Sequence, residues 1–549
     1  MLMSNEELSD PWNREGQTFP KLPEAMIDRL YNYGREERFD SETMLFRRGD
    51  RSIDFFVVLE GQINITYDDA TKGPDLLYSY QRGQFTGEQN LFNGRKILLS
   101  AAAAEKTCVL RIKNADFRAF LAGEPDIAEI IMRAFILRRV GFIRHKRGGV
   151  VLLGPSNSGK LLEMQRFLTR NAYPVEVIDT QTGAAARPLM ATLGLDEDQL
   201  PAIVEPGGNV LVRPDIMTLA DQLGIAEAPA VETVYDVAVV GAGPSGLATA
   251  VYATSEGLRT VVLETLAPGG QAGTSSKIEN YLGFPTGVSG MALAGRAHIQ
   301  AQKFGALLCV SRSVVALDCE ASPFRLTLED GQAVQARAVV IATGARYRRL
   351  DVPDYDRFEG QGIHYAATAM EAQICREQDV VVVGGGNSAG QAAIYLSSTA
   401  RHVHMLLRSG LSRTMSDYLV QRIESSPRIS TYEKSEIEAL RGRDVLQGVS
   451  WRGGLSRRQI HLSTGNIFVM IGARPNTDWL QGCIDLDERG FVKTGETPAD
   501  GLPALPFAAS RSGIFAIGDV RSGSIKRVAS AVGEGSVVVS SVHQYLAKA

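Results

Sequence analysis

Cysteine is scarce in this sequence. Its 549 residues hold five cysteines, Cys108, Cys309, Cys319, Cys375 and Cys483, and no two stand at CxxC spacing. That excludes a redox dithiol motif, a zinc ribbon and a dense disulfide framework as organising devices. The scatter leads to an expectation of reduced, mostly buried thiols in a cytoplasmic protein. No stretch reaches the ~18 apolar residues of a membrane span, and "AAAAEKTCVL" is short and charged. The opening "MLMSNEELSDPWNREG" is polar and acidic, without the basic start and apolar run of a signal peptide. Neither sign of charge dominates. The net charge of −4 and pI of about 6.1 argue against nucleic acid or an anionic membrane as a bulk partner. No cluster has metal-ligand spacing, so no metal is expected.

Glycine, by contrast, is plentiful: 55 residues, above a usual share of roughly 7%. That suits several close backbone approaches to ligands. The length suggests roughly three or four domains. From Phe19 to Ala122 the chain reads as short strands and turns, with "DFFVVLEGQINITYDD" as strand, glycine turn, strand. "DIAEIIMRAFILRRVGFIRHKRGG" then has helical spacing and a basic end that suits a helix C-terminus. This order resembles the cyclic-nucleotide-binding β-roll family, which would occupy residues 1–148. Gly87 and Glu88 in "RGQFTGEQNLF" match that family's phosphate-binding cassette, whose Glu holds a ribose hydroxyl. The phosphate-gripping Arg of the family is missing: the region reads Ile97-Leu98-Leu99, with Arg95 and Lys96 out of register. A buried phosphate without its Arg loses a charge-assisted pair. The expectation is a degenerate pocket used for contact or for another effector, ahead of cyclic-nucleotide binding.

Residues 149–230 form a smaller unit. "VVLLG", "KLLEMQRFLTRN", "PVEVIDT", "LPAIVEPGGNVLV" and "DIMTLADQLGI" read as strand, helix, strand, hairpin and helix. The order resembles a thioredoxin or glutaredoxin fold, with Leu200-Pro201 where that family keeps a cis proline. "PSNS" stands where the family's CxxC would be, so the unit has no dithiol of its own. "GPSNSGKLL" also fits G-x-x-x-x-G-K, but Leu161 replaces the magnesium-binding Ser or Thr and no acidic strand follows. ATP hydrolysis is therefore disfavoured.

The remaining chain carries the chemistry. "YDVAVVGAGPSGLATAVYATSEGLRTVVLE" runs from a strand through Gly241, Gly243, Pro244, Ser245 and Gly246 into a helix, then into a strand ending at Glu264. Glycines admit a pyrophosphate, the helix N-terminus supplies N–H donors, and the carboxylate accepts from a ribose diol. A second fingerprint, "DVVVVGGGNSAGQAAIYLSSTARHVHMLLR", holds Gly384, Gly386, Asn387, Ser388 and Ala389. Its second strand leads to Arg408, with Arg413 nearby, instead of an acid. Arginine there suits a 2′-phosphate, hence NADPH over NADH.

These two sites resemble the low-molecular-weight thioredoxin reductase family from Val234 to Ala549. "APGGQAGTSSKIENYLGFP" matches its flavin loop through Gly269, Gly270, Gln271 and Asn280; "VVIATGARYR" matches its Ala-Thr-Gly strand through Thr343 and Gly344. "GIFAIGDV" carries Asp519, which in the family binds the ribityl chain, and "KRVASAVGEG" sets Arg527, Val528 and Ala529 at a helix start near flavin N1. The resemblance implies FAD and NADP(H) as cofactors, a homodimer, and a multidomain α/β plus β architecture. That architecture is a β-roll, a small thioredoxin-like domain, and two Rossmann-like domains. The FAD domain spans 231–347 and 469–549, with the NADPH domain, 348–468, inserted.

One departure decides the mechanism. Where the family reads Cys-Ala-Thr-Cys, this chain has Ala366 and Ala369 around Ala367-Thr368. Hydride transfer needs positioning and no protein nucleophile, but an internal disulfide relay is impossible there. The expected activity is hydride transfer from NADPH to FAD, with electrons passing directly to a small-molecule or protein acceptor. His364, Tyr365 and Glu371 flank the vacated site as candidate proton donors. Two alternatives stay open: a thioredoxin-disulfide reductase that borrows partner thiols, and a ligand- or redox-sensing flavoprotein with little turnover.

Overall fold

A computed structural model describes residues 10–548, apart from 70–72, 157, 184, 231, 276–277, 360–361, 444, 454–457, 481 and 497–503. The backbone clusters into two compact units. One comprises Met1–Ser156, Met164–Pro229 and Ile299–Ser311; the other Asn157–Glu163, Ala230–His298 and Arg312–Ala549.

The first unit opens with strands β1 (Arg35–Phe39), β2 (Met44–Phe46), β3 (Phe55–Glu60), β4 (Ile63–Asp69) and β5 (Gly73–Tyr80). Strands β6 (Leu99–Ala103) and β7 (Thr107–Ile112) follow. They make two antiparallel sheets, β1-β7-β3 and β2-β6-β4-β5. Residues of β6 alternate between buried and half-buried, the period of a sheet with one face on the core. The strand-glycine-strand stretch is not a hairpin, because β3 and β4 lie in different sheets. Gly61 makes that transfer at φ +76, where a Cβ would come within 2.5 Å of the Lys106 carbonyl. Helices α1 (Asn114–Gly123) and α2 (Pro125–His145) come next, and Lys146 ends α2 in the left-handed conformation. Buried Phe55, Phe85, Phe117, Phe120 and Phe135 form the core between them and the sheets.

Strands β8 (Val150–Gly154) and β9 (Val175–Asp179) flank helix α3 (Gly159–Arg170). Helix α4 (Ala186–Leu193), strands β10 (Ala202–Val204) and β11 (Val210–Val212) and helix α5 (Ile216–Gln222) complete this part. The sheet order is β9-β8-β10-β11; β9 is parallel to β8, and β10 is antiparallel to both β8 and β11. The Leu200-Pro201 bond is cis. Asp215 caps α5 by accepting from the Thr218 N–H at 2.7 Å.

In the second unit β12 (Val234–Val240) leads to helix α6 (Pro244–Ser255) and β13 (Thr260–Glu264). Strands β14 (Val314–Asp318), β15 (Phe324–Leu328) and β16 (Ala333–Ile341) extend the sheet as β13-β12-β16-β15-β14. Strand β17 (Ala345–Tyr347) then carries the chain out to β18 (Ile363–His364), helix α7 (Ala369–Ile374), β19 (Asp379–Val383) and helix α8 (Asn387–Leu396). Strand β20 (His402–Leu406), helix α9 (Asp417–Glu424) and β21 (Ile429–Tyr432) follow. An antiparallel meander of β22 (Glu436–Gly442), β23 (Leu446–Gly453) and β24 (Arg458–Leu462) precedes β25 (Ile467–Val469). The parallel sheet here has the order β18-β25-β19-β20-β21. Strand β26 (Ala473–Pro475) pairs antiparallel with β17, so a two-stranded ribbon joins the two sheets. Strand β27 (Ile514–Ala516) rejoins the first sheet beside β16, and helix α10 (Val528–Leu546) closes the chain. One sheet is thus interrupted by the other. In β12 and β19 the valine runs are almost wholly buried, as parallel strands covered on both faces require.

Candidate functional site

The first fingerprint is built by sterics. A Cβ on Gly241, at φ +103, would lie 2.4 Å from the Ala342 carbonyl oxygen, and one on Gly246 would lie 1.9 Å from that of Gly241. A Cβ on Gly243 would meet nothing within 4 Å. Packing therefore demands the outer glycines, while the middle one faces open space at the N-terminus of α6, where a pyrophosphate fits. Pro244 starts α6, with Ser245 and Gly246 buried in its first turn. Glu264, at the end of β13, accepts from the Ala242 N–H at 2.7 Å and from the N–H groups of Leu266 and Ala267 at 3.0 and 3.2 Å.

Other segments converge here. Gly270, at φ +52, packs so that its Cβ would be 3.0 Å from the Gly243 Cα. Gln271 donates its side-chain amide to the Ala345 carbonyl, and Asn280 is exposed. The Thr343 hydroxyl donates to the Asn476 carbonyl at 2.9 Å, and the Gly344 carbonyl accepts from the Asn476 N–H at 3.2 Å. Asp519 is half-buried and forms no hydrogen bond among the described residues. Burial raises its carboxyl pKa; Lys526 opposes that and Glu534 adds to it. A carboxylate left without donors in a half-buried place fits a polyhydroxyl ligand such as a ribityl chain. Arg527 is the N-cap of α10, so Val528 and Ala529 present first-turn N–H groups.

Glu534 and Arg521 were missed at the sequence level. Glu534 accepts from the Gly518 N–H at 2.6 Å and pairs with Arg521 at 2.7 Å, fixing the backbone beside Asp519. The signal was available: Glu534 is the only acidic residue in α10.

In the second fingerprint a Cβ on Gly384 would come within 2.3 Å of the Met470 carbonyl, while Gly386 again faces open space. Ala389 is fully buried under α8. Asn387 accepts from the Ser416 N–H at 2.7 Å, and Ser388 is exposed. Arg408 and Arg413 are exposed and make no ion pair among the described residues, leaving two cations free at the strand end.

Ala366 is half-buried and Ala369, exposed, begins α7. Glu371 accepts from the Thr368 N–H at 3.0 Å and from the Thr368 hydroxyl, capping α7. His364 is 2% exposed, with Nε2 2.9 Å from Asn466 Oδ1. Both side chains thus have structural partners and little access to solvent. The Tyr365 ring stacks on Tyr347 with centroids 5.3 Å apart, and its hydroxyl contacts Tyr355 at 2.9 Å and donates to Glu359. Burial, and then the Glu359 contact, push the Tyr365 phenol up, so it stays protonated. Cys375 lies just past α7, fully buried, and burial pushes its thiol up to about 12.

The cysteines are not all reduced, contrary to expectation. Cys108, Cys309 and Cys375 are buried free thiols, but Cys319 and Cys483 are paired in a disulfide, their Cα atoms 5.9 Å apart. Their separation of 164 residues hid the pair.

In the β-roll, Glu88 and Arg138 line a small cavity of about 10 Å³ together with Tyr80, Ile97, Leu99 and Phe142. Glu88 pairs with Arg139 at 3.3 Å, and Arg138 donates to the carbonyls of Thr18 and Gly87, both at 2.9 Å. Arg95 is buried elsewhere, donating to the Asn171 carbonyl at 3.2 Å. After β8, Lys160 at the start of α3 pairs with Glu163 at 3.2 Å, and Ser156 donates to Asp179. Asn157 of that motif lies outside the described residues.

Two interleaved α/β sheets with paired fingerprints define an FAD-dependent NAD(P)H oxidoreductase. Residues 235–535 match the family described as pyridine nucleotide-disulphide oxidoreductase, and the chain belongs to it. Residues 36–124 match the cyclic nucleotide-binding domain. The thioredoxin reductase of Mycolicibacterium smegmatis is 32% identical over 318 residues, 58% of this chain and 98% of the relative. That of Treponema pallidum (strain Nichols) is 33% identical over 315 residues, 57% of this chain and 98% of the relative. Among solved structures, Lactococcus lactis thioredoxin reductase in its FR conformation is 25% identical with a TM-score of 0.53, covering 57% of this chain and 100% of that one. T. acidophilum thioredoxin reductase is 27% identical with a TM-score of 0.52, covering 57% and 99%. The cofactors are FAD and NADP(H). No helix among the described residues is long and apolar enough to cross a membrane.

Proposed function

We propose that this chain moves reducing equivalents from NADPH through FAD directly to an external acceptor, without a sulfur relay at the family's usual place. Alanine at 366 and 369 inside an otherwise retained frame carries the reading. The neighbouring thiol, Cys375, is buried and held protonated. The bound cofactors supply hydride chemistry; the chain's part is to hold and orient them. Gly241, Gly243, Gly246, Glu264, Gly270, Gln271, Asn280, Thr343, Gly344, Asp519 and the N-terminus of α10 would hold FAD. Gly384, Gly386, Ala389, Arg408 and Arg413 would hold NADPH. The stacked pair Tyr347 and Tyr365, beside the empty thiol positions, offers a protonated aromatic surface to an acceptor.

The β9-β8-β10-β11 order supports a thioredoxin-like reading of residues 149–230. The β-roll supports a degenerate pocket: Arg95 is turned away and Glu88 is already engaged by Arg139. The test is anaerobic addition of NADPH to the yellow protein, followed by a panel of acceptors. Bleaching by NADPH and rapid return of colour with a quinone, a free flavin or ferricyanide is expected. Return of colour with oxidised thioredoxin alone would sink the direct-transfer reading.

A further inference from the structure

Cys319 follows β14, and Cys483 stands eight residues beyond the ribbon strand β26. Cys319 is half-buried, Cys483 is 8% exposed, and the Cys319 sulfur lies 3.7 Å from the Cys483 carbonyl oxygen. Their Cα separation of 5.9 Å lies within disulfide reach without backbone movement. Arg511 donates to the Cys319 carbonyl at 2.9 Å and pairs with Glu320, fixing the backbone at the more exposed cysteine. Between β26 and Cys483, Asn476 is bonded to Thr343 and Gly344, and buried Leu480 anchors a short turn. The pair therefore ties the segment that leaves the ribbon to the edge of the first sheet.

We propose that Cys319 and Cys483 form a reversible thiol–disulfide site that exchanges with low-molecular-weight thiols and thereby sets the ease of NADPH oxidation. In the opening direction an external thiolate attacks the Cys319 sulfur and expels the Cys483 thiolate, which takes a proton. A second thiolate attacks the external sulfur of the mixed disulfide. Two RSH become one RSSR, and the protein gains two thiols. Closing reverses this, with a low-molecular-weight disulfide as oxidant. Opening frees the turn from Asn476 to Leu480 to move relative to Thr343 and Gly344. The coupling to NADPH oxidation rests on the flavoprotein reading above; the exchange itself does not.

The test uses the full-length protein and glutathione. Native alkylation and peptide mapping of air-exposed protein should yield a cross-linked peptide pair holding 319 and 483. After native incubation with reduced glutathione both should alkylate, while Cys108, Cys309 and Cys375 stay unlabelled. Free alkylation of both in the air-exposed sample would overturn the proposal, as would a bridge that opens only on denaturation. NADPH oxidation, with ferricyanide as acceptor, should differ by about fivefold or more between bridged and opened protein, the low end of usual couplings. Cys319→Ser should abolish that difference; Cys483→Ser gives the same information if the first variant folds poorly. Equal rates for bridged and opened protein would overturn the coupling and leave thiol mapping to judge the exchange alone.

Discussion

The two dinucleotide fingerprints share one plan and differ at its far end. Each begins with an aspartate paired to an arginine, Asp236 with Arg259 at 3.5 Å and Asp379 with Arg401 at 2.7 Å. Each runs through a buried valine strand to a glycine that packs on a neighbouring backbone and another that faces open space. The first ends in Glu264, whose carboxylate is held by three backbone N–H groups. The second ends in Arg408, exposed and without an ion pair among the described residues. A rigidly held acceptor suits a cofactor that stays. A free cation on a flexible stem suits one that comes and goes.

The most severe way to break this comparison is Gly246→Ala. Its Cβ would sit 1.9 Å from a backbone oxygen, at a cost of roughly 1–3 kcal/mol from overpacking. Purified protein should be colourless or strongly depleted in flavin, read as the ratio of visible to near-ultraviolet absorbance. Arg408→Ala should leave the colour intact. It should raise KM for NADPH by about 10–100-fold, as loss of a charge-assisted bond to a phosphate implies. KM for NADH should hardly move, and a parallel rise for both would refute the 2′-phosphate role. Gly386→Ala should fold normally, since its Cβ meets nothing within 4 Å. It should weaken NADPH by about tenfold by crowding the pyrophosphate, which is about 1.4 kcal/mol, without loss of FAD. Unchanged nucleotide affinity would show that the open space is not the phosphate site.

The smallest effect belongs to Arg401→Ala, since exposed ion pairs are screened by solvent and contribute little. The Arg401 hydrogen bond lowers the Asp379 carboxyl below its ordinary value of 3.8. A depressed folded pKa means stability that is present above the unfolded value and lost as pH falls through the folded one. The difference in urea midpoint between wild type and Arg401→Ala should therefore persist at neutral pH and vanish in acid. A difference that grows in acid would contradict the ion pair.

Much of the fold was legible because its signals are local. Valine runs ending in glycine, followed by small-residue helices, give β12-α6 and β19-α8 within one window each. Arg527 as the start of α10 was equally readable. Other features were not. The glycine turn at Gly61 was readable, but that it moves the chain between sheets was not, since strand pairing is set by partners far along the chain. His364 and Glu371 stood as candidate proton donors beside Ala366 and Ala369 with packing the simpler reading, and burial with Asn466 and Thr368 gives them structural partners. Glu534 was overlooked because its importance lies in the backbone of Gly518, which only folding brings near.

The amino-acid order alone determined the two strand-glycine-helix turns, the arginine after the second strand of the later one, and alanine at 366 and 369. Each of these is a statement about residue types within one strand-turn-helix. Tertiary structure decided what meets across the chain: Gly270 against Gly243, Asn476 against Thr343, and Cys319 against Cys483. Those contacts join residues from about 27 to 164 positions apart. Spacing within a motif carries no information about them, because a compact core brings such segments together only after every intervening element has packed.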